Sequence, residues 1–128
     1  MKKEILESIA PLVPFEESGF SFNDEHYYSA RSLYDQAKKE KAKPYFFQLD
    51  SLDFSQKVFR ETERLTDLAY HFRRAMEADC SIPIIVGPLG NVLDGYHRIL
   101  KSVITGEKVS AYRLRNLPQA NIHTNKDK

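Results

Sequence analysis

Residues 83–98, Pro83-Ile84-Ile85-Val86-Gly87-Pro88-Leu89-Gly90-Asn91-Val92-Leu93-Asp94-Gly95-Tyr96-His97-Arg98, read as a strand, a tight turn, a second short strand and a helix entered through Asp-Gly-x-His-Arg. A glycine at a strand-to-helix junction lets the backbone turn sharply and approach a ligand closely. The first N–H groups of the helix then point outward and favour an anion. His97 and Arg98 add two side-chain donors at the same spot. Two basic groups in a first helical turn oppose the helix dipole unless an anion is present, and this local conflict marks the stretch as functional. The candidate phosphate-binding set is therefore Gly95, Tyr96, His97, Arg98 and, one turn on, Lys101.

Working outward, Ile82 to Val86 reads as a buried strand, Asn91 to Leu93 as its hairpin partner, and Pro88-Leu89-Gly90 as the turn between them. A helix over 96–105 follows, with Tyr96, Leu100, Val103 and Ile104 toward the core and Gly106 as a left-handed cap. Lys108 to Leu114 alternates enough for a final strand, and the polar residues 118–128 form a frayed tail. Upstream, Leu65, Leu68, Ala69, Phe72, Ala75 and Met76 predict a core-facing helix over 62–78. Tyr45 to Leu49 is a strand by composition, followed by a loop from Asp50 to Phe59. Residues 24–42 carry a helical stripe (Tyr27, Ala30, Tyr34, Ala37), with Asn23 and Asp24 as caps and Pro44 as the stop. Lys2 to Ala10 is a further short helix, and Phe15 to Phe22 reads as loop. The organisation expected is an N-terminal helical extension over 1–44, an α+β domain over 45–117 and a tail over 118–128.

The bulk numbers restrict the function. A chain of 128 residues, 41% hydrophobic and 29% charged, fits one soluble domain with a real core. A net charge of +1 predicts no strong overall grip on nucleic acid. The single Cys80 forms no internal disulfide, which suits a reducing compartment, and no signal peptide or membrane span is visible. A cytoplasmic location is expected. The four histidines at 26, 71, 97 and 123 show no compact metal-ligand spacing, and Asp67 with His71 reads as a solvated helix pair.

Residues 46–114 resemble the ParB/sulfiredoxin superfamily in the order strand, loop, long helix, strand, hairpin strand, Gly-x-His-Arg, helix, strand. The resemblance implies a small mixed sheet packed against helices. It also implies a nucleotide ligand (ATP, ADP or CTP) whose phosphates meet Gly95, His97 and Arg98. The form Asp94-Gly95-Tyr96-His97-Arg98 looks closest to the kinase-like and stand-alone ParB-like members. Sulfiredoxin places its cysteine where this chain has Tyr96, so sulfinic-acid repair has no nucleophile. The serine kinase has a glutamate in the loop facing the phosphates. Here that loop reads Asp53-Phe54-Ser55-Gln56-Lys57, with Gln56 near the matching place.

From the residues themselves, Arg98 is the first choice to grip phosphate, since a guanidinium holds two oxygens at once. Alternatives stand beside each assignment: Gly95 as a plain turn glycine, His97 as a structural histidine, Lys101 as a solvated lysine. Asp94 is either a Mg²⁺ contact or a group that hydrogen-bonds the turn or orients His97. Asp53 and Gln56 are candidates for the facing loop. The function expected is nucleotide binding, with phosphate hydrolysis or transfer as an open extension. The alternatives are a DNA-associated accessory protein using Arg73, Arg74, Lys101, Arg113 and Arg115, or a non-catalytic adaptor with a protein partner.

Overall fold

Ile84-Ile85-Val86 is buried on both faces, and the molecule is built around it. Ile84 and Val86 join Cys80, Val92, Ile99, Val109 and Ala111 in one apolar cluster. Ile85 joins Tyr28, Leu33, Ala37, Leu93 and Leu114 in another. Successive strand residues point to opposite faces, so three consecutive β-branched residues demand a layer on each side. The computed structural model describes residues 19–22, 26–59, 62–119 and 121–122.

In chain order the elements are β1 (Gly19–Phe22), β2 (His26–Ser29), α1 (Ala30–Lys39), β3 (Tyr45–Phe46), α2 (Leu65–Met76), β4 (Ile84–Val86), β5 (Val92–Asp94), α3 (Tyr96–Thr105), β6 (Ser110–Arg113) and β7 (Asn121–Ile122). A four-stranded mixed sheet has the order β3-β6-β4-β5, with β4 and β6 parallel and the other pairs antiparallel. The chain is thus α+β, as expected. α1 supplies Leu33 and Ala37 to one face of this sheet, and α3 supplies Ile99 to the other. A second, antiparallel sheet has the order β1-β2-β7.

The structure corrects the expected N-terminal half. Residues 19–22 are strand, not loop. The helix predicted over 24–42 is a strand to Ser29 and a helix from Ala30, because Ser29 caps it: its extended backbone (ψ 153°) turns the side chain to accept from Ser32 N–H. That helix ends at Lys39, before Pro44, with Lys41 left-handed at φ 55°. Lys38 and Lys39 do stand in its last turn, against the negative pole. The predicted caps Asn23 and Asp24 and the predicted helix Lys2 to Ala10 lie outside the described residues. In place of a purely helical extension, the described part of 1–44 holds two strands and a helix that shares the sheet's core. Within the predicted frayed tail, Asn121–Ile122 pairs with β2.

Two further corrections concern helix faces. α2 is shorter than predicted, and Leu65, Leu68, Phe72 and Met76 are exposed; its buried positions are Arg73 and Ala75. In α3 the buried positions are Ile99 and Ser102, while Val103 and Ile104 are exposed. Amphipathic spacing identifies an apolar face without saying what it meets. Other bounds moved slightly. β3 keeps two residues because Leu49–Ser51 winds into a 3₁₀ turn, where Ser51 Oγ donates to Gln48 O at 2.6 Å. β4, β5 and β6 each lie within about two residues of the expected segments.

Candidate functional site: the entrance to helix α3

α3 runs over 96–105, as the sequence predicts, and Gly106 closes it at φ +80°. At its entrance Gly95 stands at φ +117°, where L side chains are strained. A Cβ there would meet the side chain of Ile84, lying 2.6 Å from Ile84 Cβ. The turn therefore crosses β4 at glycine-only distance. Gly95 has no side chain to cap the helix, and Ile99 N–H is the first to bond back, to Gly95 O at 3.0 Å. Among the described residues nothing accepts from the N–H groups of Tyr96, His97 and Arg98. Gly95, His97 and Arg98 of this helix start line a cleft of about 220 Å³, together with Arg74, Glu77, Ala78 and Asp94.

Arg98 lines that cleft but is committed inward. Nη2 donates to Asp94 Oδ2 at 2.9 Å, and Nη1 donates to Tyr34 Oη at 2.6 Å, Pro83 O at 2.9 Å and Ile82 O at 3.0 Å. The Arg98–Asp94 pair is largely buried at both ends. Tyr34 Oη donates in turn to Pro83 O at 2.6 Å. Burial, foremost, pushes the Tyr34 hydroxyl up to about 12, with Arg98 opposing and Asp94 adding. The guanidinium read from sequence as the phosphate grip is thus the rivet joining α1, β4, β5 and α3. Sequence reasoning missed Tyr34 as a site neighbour, since its helical spacing signalled only core.

His97 Nε2 lies 2.9 Å from His71 Nδ1. Phe59 stacks on both rings, at centroid distances of 4.1 Å to His71 and 4.6 Å to His97, and Tyr70 meets both edge-on. His71 thus packs in a ring cluster rather than standing only in a solvated pair; the Asp67 carboxylate accepts from Arg64, at 3.2 Å from its N–H and 2.9 Å from Nη2, and Arg64 foremost, with His71 adding, holds it below the usual carboxylate range. Burial first, then the charges of Arg74, His71 and Arg98, push His97 down to about 3. An imidazole normally titrates near 6.5. Below that pH the unfolded chain takes up a proton that the folded chain refuses, so stability falls as pH drops from about 6.5 toward 3. The full loss is on the order of 5 kcal/mol. Urea unfolding of wild type and His97→Gln between about pH 6.5 and 4.5, above most carboxylate titration, checks this. The wild type is expected to lose more stability over that window; equal slopes would refute the assignment.

The remaining sequence candidates divide. Lys101 does not line the cleft; its Nζ donates to Ala78 O, just past the end of α2, at 2.8 Å. Tyr96, Asp53 and Gln56 come together, but in an adjoining slot of about 190 Å³ that is mostly apolar, with Phe54, Phe59 and Leu100. Asp53 is held in its own turn, accepting from Ser55 N–H at 2.9 Å, and this holds its carboxyl below the usual range. Arg74, named from sequence only as a DNA cue, reaches the cleft rim; Nη1 donates to Tyr70 Oη at 2.9 Å, leaving most of its fork. The two cleft carboxylates, Asp94 and Glu77, already face Arg98 and Arg73. No group of three or more metal-ligating side chains occurs among the described residues. A donor set neutralised by guanidinium does not suit Mg²⁺. The five basic residues weighed for DNA do not form one free face: Arg73 is buried, Lys101 donates to Ala78 O, Arg113 donates to Pro88 O and Arg115 lies beside Glu40. Cys80 is buried, which pushes its thiol up and away from reactivity.

No protein-family model, curated protein or solved structure matches this chain. None of the described helices is long and apolar enough to cross a membrane.

Proposed function

We propose that the protein binds a nucleotide, with its phosphates on the N-terminus of α3 and its base in the slot beside Tyr96. The observation that carries this reading is the uncapped start of α3, Tyr96 to Arg98, beside a cleft that Gly95, His97 and Arg98 line with Arg74 at its rim. Backbone donors at a positive helix pole suit phosphate oxygens, and a guanidinium adds bidentate charge. His97 contributes a neutral imidazole that an arriving dianion would help to protonate. Phe54, Phe59 and Tyr96 line a neighbouring slot of about 190 Å³ whose aromatic faces suit a planar ring. Arg98 acts as a positioning residue that holds the Asp94–Gly95 turn in place. The reading is of binding; no side chain of the cleft is assigned a catalytic role.

A thermal-shift panel with ATP, ADP, CTP, GTP, UTP and tripolyphosphate, each with and without Mg²⁺, tests it. Ligand at about 100 times its dissociation constant stabilises by roughly 2.7 kcal/mol, a rise of several degrees. One nucleotide is expected to exceed tripolyphosphate, and Arg74→Ala is expected to reduce its shift while keeping the ligand-free midpoint. No shift with any ligand would overturn the proposal. A shift indifferent to Arg74 would move the phosphates elsewhere.

A further inference from the structure

The outward face of α2 is the least expected surface of the molecule. Leu65, Leu68, Phe72 and Met76 are 81%, 41%, 53% and 74% exposed. They follow one another at spacings of three, four and four, which places them on one stripe of the helix. With about 200 Å² for each full side chain, the stripe presents about 500 Å² of apolar surface, near the top of what a monomer displays. We propose that this stripe is a self-association seam on which a second copy of the chain docks, helix against helix and antiparallel.

Three features select a second copy as the occupant. The spacing of Leu65, Leu68 and Phe72, three then four, is that of the seam residues of a helix pair, which insert between one another across a two-fold axis. A two-fold interface must be complementary to itself. The antiparallel register provides this by setting Leu65 opposite Met76 of the second copy and Leu68 opposite its Phe72, large against large at both ends. The area also suffices: two such stripes bury about 1,000 Å², the lower edge of a specific interface, before any rim is counted. The helix dipoles favour the same direction: antiparallel docking opposes the two dipoles, whereas parallel docking sets each helix end against its like.

Sedimentation equilibrium of the full chain from about 300 µM down to about 1 µM is the test, a range that spans weak and moderate self-association. The wild type is expected to approach twice the 14.8 kDa chain mass at the upper end and to dissociate on dilution. Leu65→Glu with Met76→Glu places like charges opposite each other and is expected to be monomeric throughout. Leu65→Glu with Met76→Lys places opposite charges together only in the antiparallel register, and is expected to recover the dimer. Leu65 and Met76 are mostly exposed in the single chain, so both variants should keep the wild-type far-ultraviolet circular dichroism. A monomeric wild type, or a dimer that survives the double glutamate variant, overturns the seam. Failure of the glutamate–lysine variant to pair overturns the antiparallel arrangement.

Discussion

Gly95→Ala is expected to destabilise the protein by about 3–5 kcal/mol, while Gly106→Ala is expected to cost about 1 kcal/mol. Both glycines flank α3 and both have positive φ, +117° and +80°. The difference is what the new methyl would meet. At Gly106 nothing lies within 4 Å; at Gly95 the methyl runs into the Ile84 side chain, with Ile84 Cα only 3.4 Å away. Ile84 is fully buried in the central strand, so it has nowhere to retreat. Comparing the two variants by urea unfolding separates backbone strain, common to both, from the contact, present in one. Similar losses would mean that the β5–α3 turn relaxes away from β4, and that the close crossing is not needed for folding. A large gap would establish Gly95 as structural whether or not phosphate binds beside it.

Arg98→Met is expected to cost about 3–5 kcal/mol, the range for removing one partner of a buried ion pair. Methionine keeps the length of the stem and removes every donor. Asp94 is left as a largely buried carboxylate without its cation, with Tyr34 still hydrogen-bonded to it, and the carbonyls of Ile82 and Pro83 lose the hydrogen bonds that Arg98 supplied. The companion variant Arg98→Met with Asp94→Asn is expected to regain part of the loss, because it removes the stranded charge. Denaturant midpoints at unchanged m-value give both numbers. A loss under about 1 kcal/mol would show a solvated Arg98 free to serve a ligand, as the sequence suggested. The expected outcome also has a practical consequence: ligand binding by Arg98 variants cannot be read without their stability, and Arg74→Ala is the cleaner probe of the cleft.

Much of the site's backbone was legible in the sequence. Gly95 and Gly106 bracket α3 because only glycine adopts positive φ cheaply, and the periodicity between them is helical. Ile84-Ile85-Val86 announced a strand buried on both faces. The side-chain roles were not legible. His71 and His97 are 26 residues apart, Tyr34 and Arg98 are 64 apart, and no local pattern encodes such meetings. Arg98 looked available because a basic residue in a first helical turn lacks a partner within its own helix; its partners arrive from α1, β5 and the segment entering β4.

The sequence by itself determined what depends on neighbours along the chain: where α3 starts and stops, which strand is central, and that the N–H groups after Gly95 would lack a cap. Tertiary structure decided what depends on which faces meet. It turned the apolar stripe of α2 outward, bent the segment before Ala30 into a strand, drew Arg98 inward to Asp94 and Tyr34, and brought Arg74 to the cleft. The physical reason is one of range. Dihedral preference and capping act over a few residues, whereas burial and ion pairing are settled only once the sheet fixes how the helices lie against it.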